Sequence, residues 1–169
     1  MPAPEDLVRT VNNFPKDGEV YRDLSGLMAD PGTFSKICDV FTGMFDREIY
    51  DSIVFTGGFS GVLAGVISAK MGKPVIMAGY KGDIPGEVME EDADGKTVVL
   101  PKGSVRQGMK VVIFCDVLDT GKASAALARL VEKAGGEVIR FGYIAEIAEG
   151  GARKSKIIRR YPFEAFMEI

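Results

Sequence analysis

The sequence predicts an α/β fold: a central, mostly parallel sheet with helices on both faces. Apolar, strand-like runs at 52–56, 75–78, 111–114 and 137–147 alternate with helical patterns at 57–71 and 122–134, and this alternation is the mark of crossover units in a parallel sheet. The loops after the first three runs, Gly57–Gly61, Gly79–Asp83 and Asp116–Lys122, are rich in glycine or charge. Ligands on such sheets sit at the carboxyl ends of the strands, so the three loops can share one cleft. At 169 residues the chain reads as a single domain spanning 1–169, large enough for a substantial core.

Taken in order, residues 4–12 read as a short helix with Pro4 near its start and an apolar side of Leu7, Val8 and Val11. The stretch 14–24 is irregular and turn-rich. Asp30-Pro31 is an N-cap followed by proline at the first helical position. Phe34, Ile37, Phe41, Met44 and Phe45 then mark one face of a helix running to about Arg47, an aromatic stripe assigned to the core. The helix opened by Gly57–Gly61 runs to Met71 and closes at Gly72. Residues 81–96 carry two basic and six acidic side chains among several glycines, and read as a solvated hairpin arm or a mobile loop. Thr97–Leu100 is a strand, and Phe163–Met167 an edge strand.

The chemistry concentrates at 110–126. Val111–Phe114 is a buried strand that ends in Asp116 and Asp119, passes Thr120-Gly121, and opens a helix apolar at Ala123, Leu127, Leu130 and Val131. A strand that releases a short polar loop into a helix N-terminus places unpaired N–H groups and the positive end of a dipole where an anion can bind. Gly121 permits close backbone approach, and Lys122 adds a cation.

Composition excludes several alternatives. There is no histidine, so proton transfer must use a carboxylate, lysine, tyrosine or thiol. Cys38 and Cys115 lack the spacing of a disulfide framework or a zinc site. A net charge of −3 argues against a nucleic-acid binder. Apolar runs fall far short of the roughly 20 residues of a spanning helix and no signal-peptide pattern is present, so a cytoplasmic protein is expected.

The 116–124 stretch resembles the phosphoribosyl-diphosphate (PRPP) loop of the type I phosphoribosyltransferases. Asp119-Thr120-Gly121-Lys122 is similar to the loop of the hypoxanthine-guanine members. Other parts resemble the adenine members: Phe14-Pro15-Lys16-Asp17-Gly18 leading into Tyr21-Arg22-Asp23, and the closing segment from Pro162. The resemblance implies a small N-terminal hood over about 1–30, in which main-chain groups near Val20 and Arg22 read the base. It implies a flexible catalytic lid over about 81–96, with Glu90, Glu91 or Asp92 in the place of an assisting acid.

The same resemblance implies transfer of ribose 5-phosphate from PRPP to a purine in salvage, with Mg²⁺-diphosphate leaving. Asp116 would face the ribose hydroxyls, and Asp119 would handle a base proton. Thr120, Gly121, Lys122, Ala123 and Ser124 would cradle the 5-phosphate. Gly57, Gly58, Phe59, Ser60 and Lys81 would lie on the diphosphate side. No residue is implied as a direct metal ligand; Mg²⁺ would arrive with the substrate, with Asp116 as its one candidate contact. A homodimer is implied, with the first helix and the Gly57 turn as interface parts.

The pattern is broken at several places. Cys115 stands where the first of two paired acids is expected, Gly57 and Phe59 stand for an acid and an arginine, and Gly79, Tyr80 and Asp83 stand for cations. These losses keep open a non-catalytic nucleotide-binding or regulatory protein, or an enzyme acting on a phosphorylated sugar or nucleotide without diphosphate.

Overall fold

The computed structural model describes residues 3–156 and 158–169; the first two residues of the expected hood lie outside them, as does Ile157. A 3-10 turn, Pro4–Leu7, leads into strand β1 (Arg9–Asn12), which pairs antiparallel with β2 (Val20–Asp23). The helix expected over 4–12 is therefore a single 3-10 turn followed by a strand. Thr10 and Val11 are β-branched, and their partners Arg22 and Tyr21 offer a ladder that outweighs the weak helical spacing.

After a short helix, α1 (Ser25–Ala29), helix α2 runs over Pro31–Phe45. The Asp30 side chain accepts from Thr33 N at 2.7 Å, the N-cap read from the sequence. Ile37, Phe41, Met44 and Phe45 are buried as expected, whereas Phe34 is only half-buried. Strand β3 (Ser52–Phe55) feeds α3 (Phe59–Met71), which ends at a left-handed Gly72; β4 (Val75–Met77) follows.

The chain then builds a separate antiparallel sheet from β5 (Gly79–Tyr80), β6 (Val88–Asp92) and β7 (Thr97–Pro101), in the order β5-β7-β6. Strand β8 (Lys110–Leu118), helix α4 (Lys122–Lys133), β9 (Glu137–Glu146), a series of 3-10 turns and β10 (Phe163–Glu168) complete the molecule.

The central sheet has the order β10-β9-β8-β3-β4, and every pairing in it is parallel. Successive residues of β8 point to opposite faces. Val111, Ile113 and Cys115 join α4 in one core, while Val112 and Phe114 join α2 and α3 in the other. Both faces are thus covered, which explains why the strand reads as a continuous apolar run. From β3 the chain moves to β4 on one side, and from β8 to β9 and β10 on the other. The winding direction reverses between β3 and β8, and the crevice beyond their carboxyl ends is where ligands bind in open sheets of this kind.

The β6–β7 hairpin, lying within the acidic segment 81–96 and its continuation, is docked along α4. Arg129 Nε donates to Glu91 Oε1 at 2.8 Å, Lys133 pairs with the same carboxylate, and Arg129 Nη2 donates to the Asp92 carbonyl at 3.2 Å. At the hairpin tip Asp94 pairs with Lys122. Two of the hairpin's acids, Glu91 and Asp94, are therefore met by cations on α4, while Glu87 pairs with Lys102 and Glu90 with Lys81.

Candidate active site

The crevice between β3 and β8 holds a cavity of about 430 Å³. Its floor is the end of β8 and the start of α4, contributing Cys115, Asp116, Val117, Asp119, Ala123 and Ser124. Gly121 is the N-cap of α4 at φ 79, a left-handed conformation that favours glycine. A β-carbon there would also lie 2.7 Å from Ile158 Cγ1, so glycine is required for packing as well as for conformation. Gly121 offers no capping side chain; Lys122 N donates to Thr120 Oγ1 at 3.4 Å, and the next amides, of Ala123 and Ser124, are left for an anion. Thr120, Gly121 and Lys122 form the shoulder beside the cavity rather than its lining, and Lys122 is paired with Asp94.

Behind the cradle lies a polar cluster: Tyr143 Oη donates to Ser124 Oγ at 2.8 Å, with the buried Cys115 thiol beside it. Burial pushes the Cys115 thiol up to about 12, so it stays protonated and cannot stand in for the acid expected at this position.

Asp116 spans the crevice. Its Oδ2 accepts from Phe59 N at 3.1 Å and its Oδ1 accepts from Ser60 N, so the carboxylate sits on the first amides of α3. Gly58 adopts φ 64 and ψ −142, a conformation open essentially to glycine alone, and a β-carbon there would run into Asp116. Burial raises the Asp116 carboxyl above its ordinary range, with the two amides opposing that shift.

The remaining walls come from β2 (Val20, Tyr21, Arg22), from the β3 end (Thr56, Gly57, Gly58), and from Gly79, Tyr80, Lys96 and Val98 of the small sheet. Of the sequence-derived candidates, Val20, Arg22, Gly57, Gly58, Asp116, Asp119, Ala123 and Ser124 are brought together there. Phe59 and Ser60 contribute amides already taken by Asp116. Lys81, the one cation expected on the diphosphate side, instead pairs with Glu90 at 3.2 Å and does not line the cavity. None of the three lid acids lines it either: Glu90 pairs with Lys81, Glu91 with α4, and the Asp92 carboxylate accepts from Asp94 N and Gly95 N in the hairpin turn. Tyr21, Thr56, Lys96 and Val98 are not among the candidates read from the sequence, and Tyr80 enters there only as the replacement of a cation. Tyr21 sits within the Tyr-Arg-Asp triplet that carried the hood resemblance; Lys96 follows a glycine turn that gave no hint of its direction.

No protein-family model matches the chain. It is 32% identical over 146 residues to the adenine phosphoribosyltransferase of Thermosipho africanus, covering 84% of this chain and 86% of that one. The adenine phosphoribosyltransferase of Nitrosopumilus maritimus is also 32% identical, over 152 residues, covering 85% and 87% respectively. Among solved structures, adenine phosphoribosyltransferase from Thermoanaerobacter pseudethanolicus superposes with a TM-score of 0.87 over 98% of both chains at 22% identity. That from Giardia lamblia, complexed with 9-deazaadenine, gives 0.82 at 22% identity, covering 98% and 96%. The fold is that of the type I phosphoribosyltransferases. The chain belongs to the adenine phosphoribosyltransferase family.

Proposed function

We propose that this chain is a phosphoribosyltransferase that moves ribose 5-phosphate from PRPP to adenine, giving AMP and diphosphate. The observation that carries this is the union, in one cavity at the β3/β8 crevice, of an uncapped helix N-terminus, two carboxylates and a wall from β2. The relatives that match most of the chain bear the name of this enzyme, which favours transfer over bare nucleotide binding.

In this assignment the α4 amides of Ala123 and Ser124, with the Lys122 ammonium and Thr120 hydroxyl, hold the 5-phosphate. Asp116 faces the ribose. Segment 1–30 acts as the hood, with the main chain at Val20 and Arg22 on the base edge and the Tyr21 ring over its face. Segment 81–96 acts as the lid. A base nitrogen bonds to C1 of the ribose as the C1–oxygen bond to diphosphate breaks, and Asp119 takes the proton released from the base. With imidazole absent, a carboxylate is the fitting acceptor.

Among the described residues no group of three acidic, cysteine or histidine side chains gathers to hold a metal ion. A Mg²⁺ would arrive on the substrate's own oxygens, and Asp116 is the residue of the cavity that would contact it. Such an ion, when bound, offsets the charge on the departing diphosphate.

The edge strand β4 and the neighbouring helix α3 leave Val75, Met77 and Val62 between 42% and 54% exposed, an apolar face suited to a homodimer. Among the described residues no helix is long and apolar enough to cross a membrane.

The test is a steady-state assay of the purified protein with Mg²⁺-PRPP and adenine, hypoxanthine or guanine in turn. Adenine should be consumed in preference, with AMP formed one for one. Tight AMP binding with no consumption of any base would overturn the assignment.

A further inference from the structure

Transfer from PRPP requires that a diphosphate be met by positive charge, yet the positions where the family resemblance implies cations hold Phe59, Gly79, Tyr80 and Asp83. Lys81 is turned to Glu90. Asp83 is engaged locally, its Oδ2 accepting from Tyr80 N at 2.9 Å. Lys122 is held by Asp94 on the shoulder above α4. Among the described residues, two cations line the cavity, Arg22 and Lys96. Arg22 belongs to the hood side, where its guanidinium donates to Thr10 Oγ1 on β1.

Lys96 stands on the opposite wall. It follows the Gly95 turn immediately before β7, two residues ahead of Val98, and alternate residues of an extended strand share a face. Val98 pairs with Tyr80, so that face continues the wall formed by Gly79 and Tyr80. The Lys96 side chain is 63% exposed, and its one ion-pair partner is Glu19 Oε2 at 3.7 Å, in the loop between β1 and β2. A long contact between two solvated groups is weak. A diphosphate, carrying several negative charges, would draw the ammonium away from it.

We infer that Lys96, delivered by the β6–β7 hairpin, is the residue of this chain that binds the diphosphate of PRPP, an inference that rests on the transfer reading above. The lysine acts as a mobile point charge on a flexible stem, a role that suits phosphate oxygens. Docking of the hairpin on α4 through Glu91 fixes the strand from which it reaches. Glu19 then serves as a resting partner that competes with the ligand.

Calorimetric titration with Mg²⁺-PRPP and, separately, with AMP tests this on the full chain and on Lys96→Met, Lys96→Arg and Glu19→Gln. Lys96→Met should weaken Mg²⁺-PRPP on the order of tenfold to a hundredfold, the value of a charge-assisted contact. AMP, which has no diphosphate, should keep its affinity within about twofold by the same reasoning. Lys96→Arg should restore most of the loss, and Glu19→Gln should leave PRPP binding unchanged or tighter. If Lys96 were only a latch between hairpin and hood, Lys96→Met and Glu19→Gln would weaken PRPP alike, and that result overturns the inference. Equal loss for AMP and PRPP, or no loss at all, overturns it as well while leaving the transfer reading intact. Failure of the unaltered chain to bind Mg²⁺-PRPP, with AMP still bound, overturns both.

Discussion

The carboxylate of Asp116 closes the start of the helix that begins at Phe59, with Oδ2 3.1 Å from the Phe59 amide. One acid therefore joins the two loops that flank the crevice, and the fit depends on Gly58 having no side chain. Gly58→Ala should lower stability by about 1–3 kcal/mol from backbone strain alone, with the collision against Asp116 adding to it. Asp116→Ala should leave two amides without their acceptor, each worth roughly 1–3 kcal/mol if it stays dry. Urea unfolding of both variants checks this. An unchanged midpoint in each would mean that the contact carries no weight.

A second acid, Asp23, ties β1 to the start of α1 within the N-terminal segment. Its Oδ1 accepts from Ser25 N at 2.9 Å and its Oδ2 from Arg9 Nε at 3.0 Å. The hydrogen bond from Ser25, then that from Arg9, lowers the carboxyl from 3.8 to about 2. Because the folded value is depressed, the stabilisation is complete above 3.8 and is lost as the pH falls through about 2. Asp23→Asn should therefore lie below the parent in urea midpoint at neutral pH, and the gap should close as acid is added. A gap independent of pH would contradict the assignment.

The 5-phosphate cradle is tested at Lys122 and its partner. Lys122→Ala should weaken AMP by ~1.5–3 kcal/mol, the range for a charge-assisted hydrogen bond. Asp94→Ala should leave AMP binding equal or tighter, because it frees the ammonium. Gly121→Val is the less informative change. Its φ of 79 and the 2.7 Å approach to Ile158 mean that it should unfold the C-terminal packing together with the loop. Loss of AMP binding in Asp94→Ala would remove the competition between hairpin and ligand.

In the core, Phe41 is fully buried with its ring 4.6 Å from that of Phe114. Phe41→Ala should cost about 3–5 kcal/mol through the cavity it leaves. Phe34→Ala should cost visibly less, since Phe34 is half-buried. Chemical denaturation separates the two, and equal costs would contradict the packing described.

Much of this architecture was legible in the chain because burial on both faces writes itself into continuous apolar strands. The Asp30 cap and the 31–45 helix were likewise local signals. The first strand was not, since residues 9–12 are held by partners at 20–23 that no helical or strand period reveals. The site divides in the same way. The uncapped loop at Gly121 is a local feature, readable from strand, turn and helix. The partner of Asp116 lies 57 residues away in sequence, so an acid read as facing ligand is found also to hold a helix. The acidic segment reads as a solvated arm or mobile loop because its charge is counted alone, without Lys122, Arg129 and Lys133, which lie against it. Lys96 read as one more solvated charge until β7 was placed beside β5.

The most direct measurement is phosphorus NMR of the purified protein mixed with Mg²⁺-PRPP, followed with and without adenine. With adenine, the diphosphate resonances of PRPP should disappear while free diphosphate and the AMP phosphate grow in equal amounts. Without adenine the PRPP signals should persist on the same timescale. PRPP that survives unchanged with adenine present, or that is consumed equally without it, would contradict phosphoribosyl transfer to adenine.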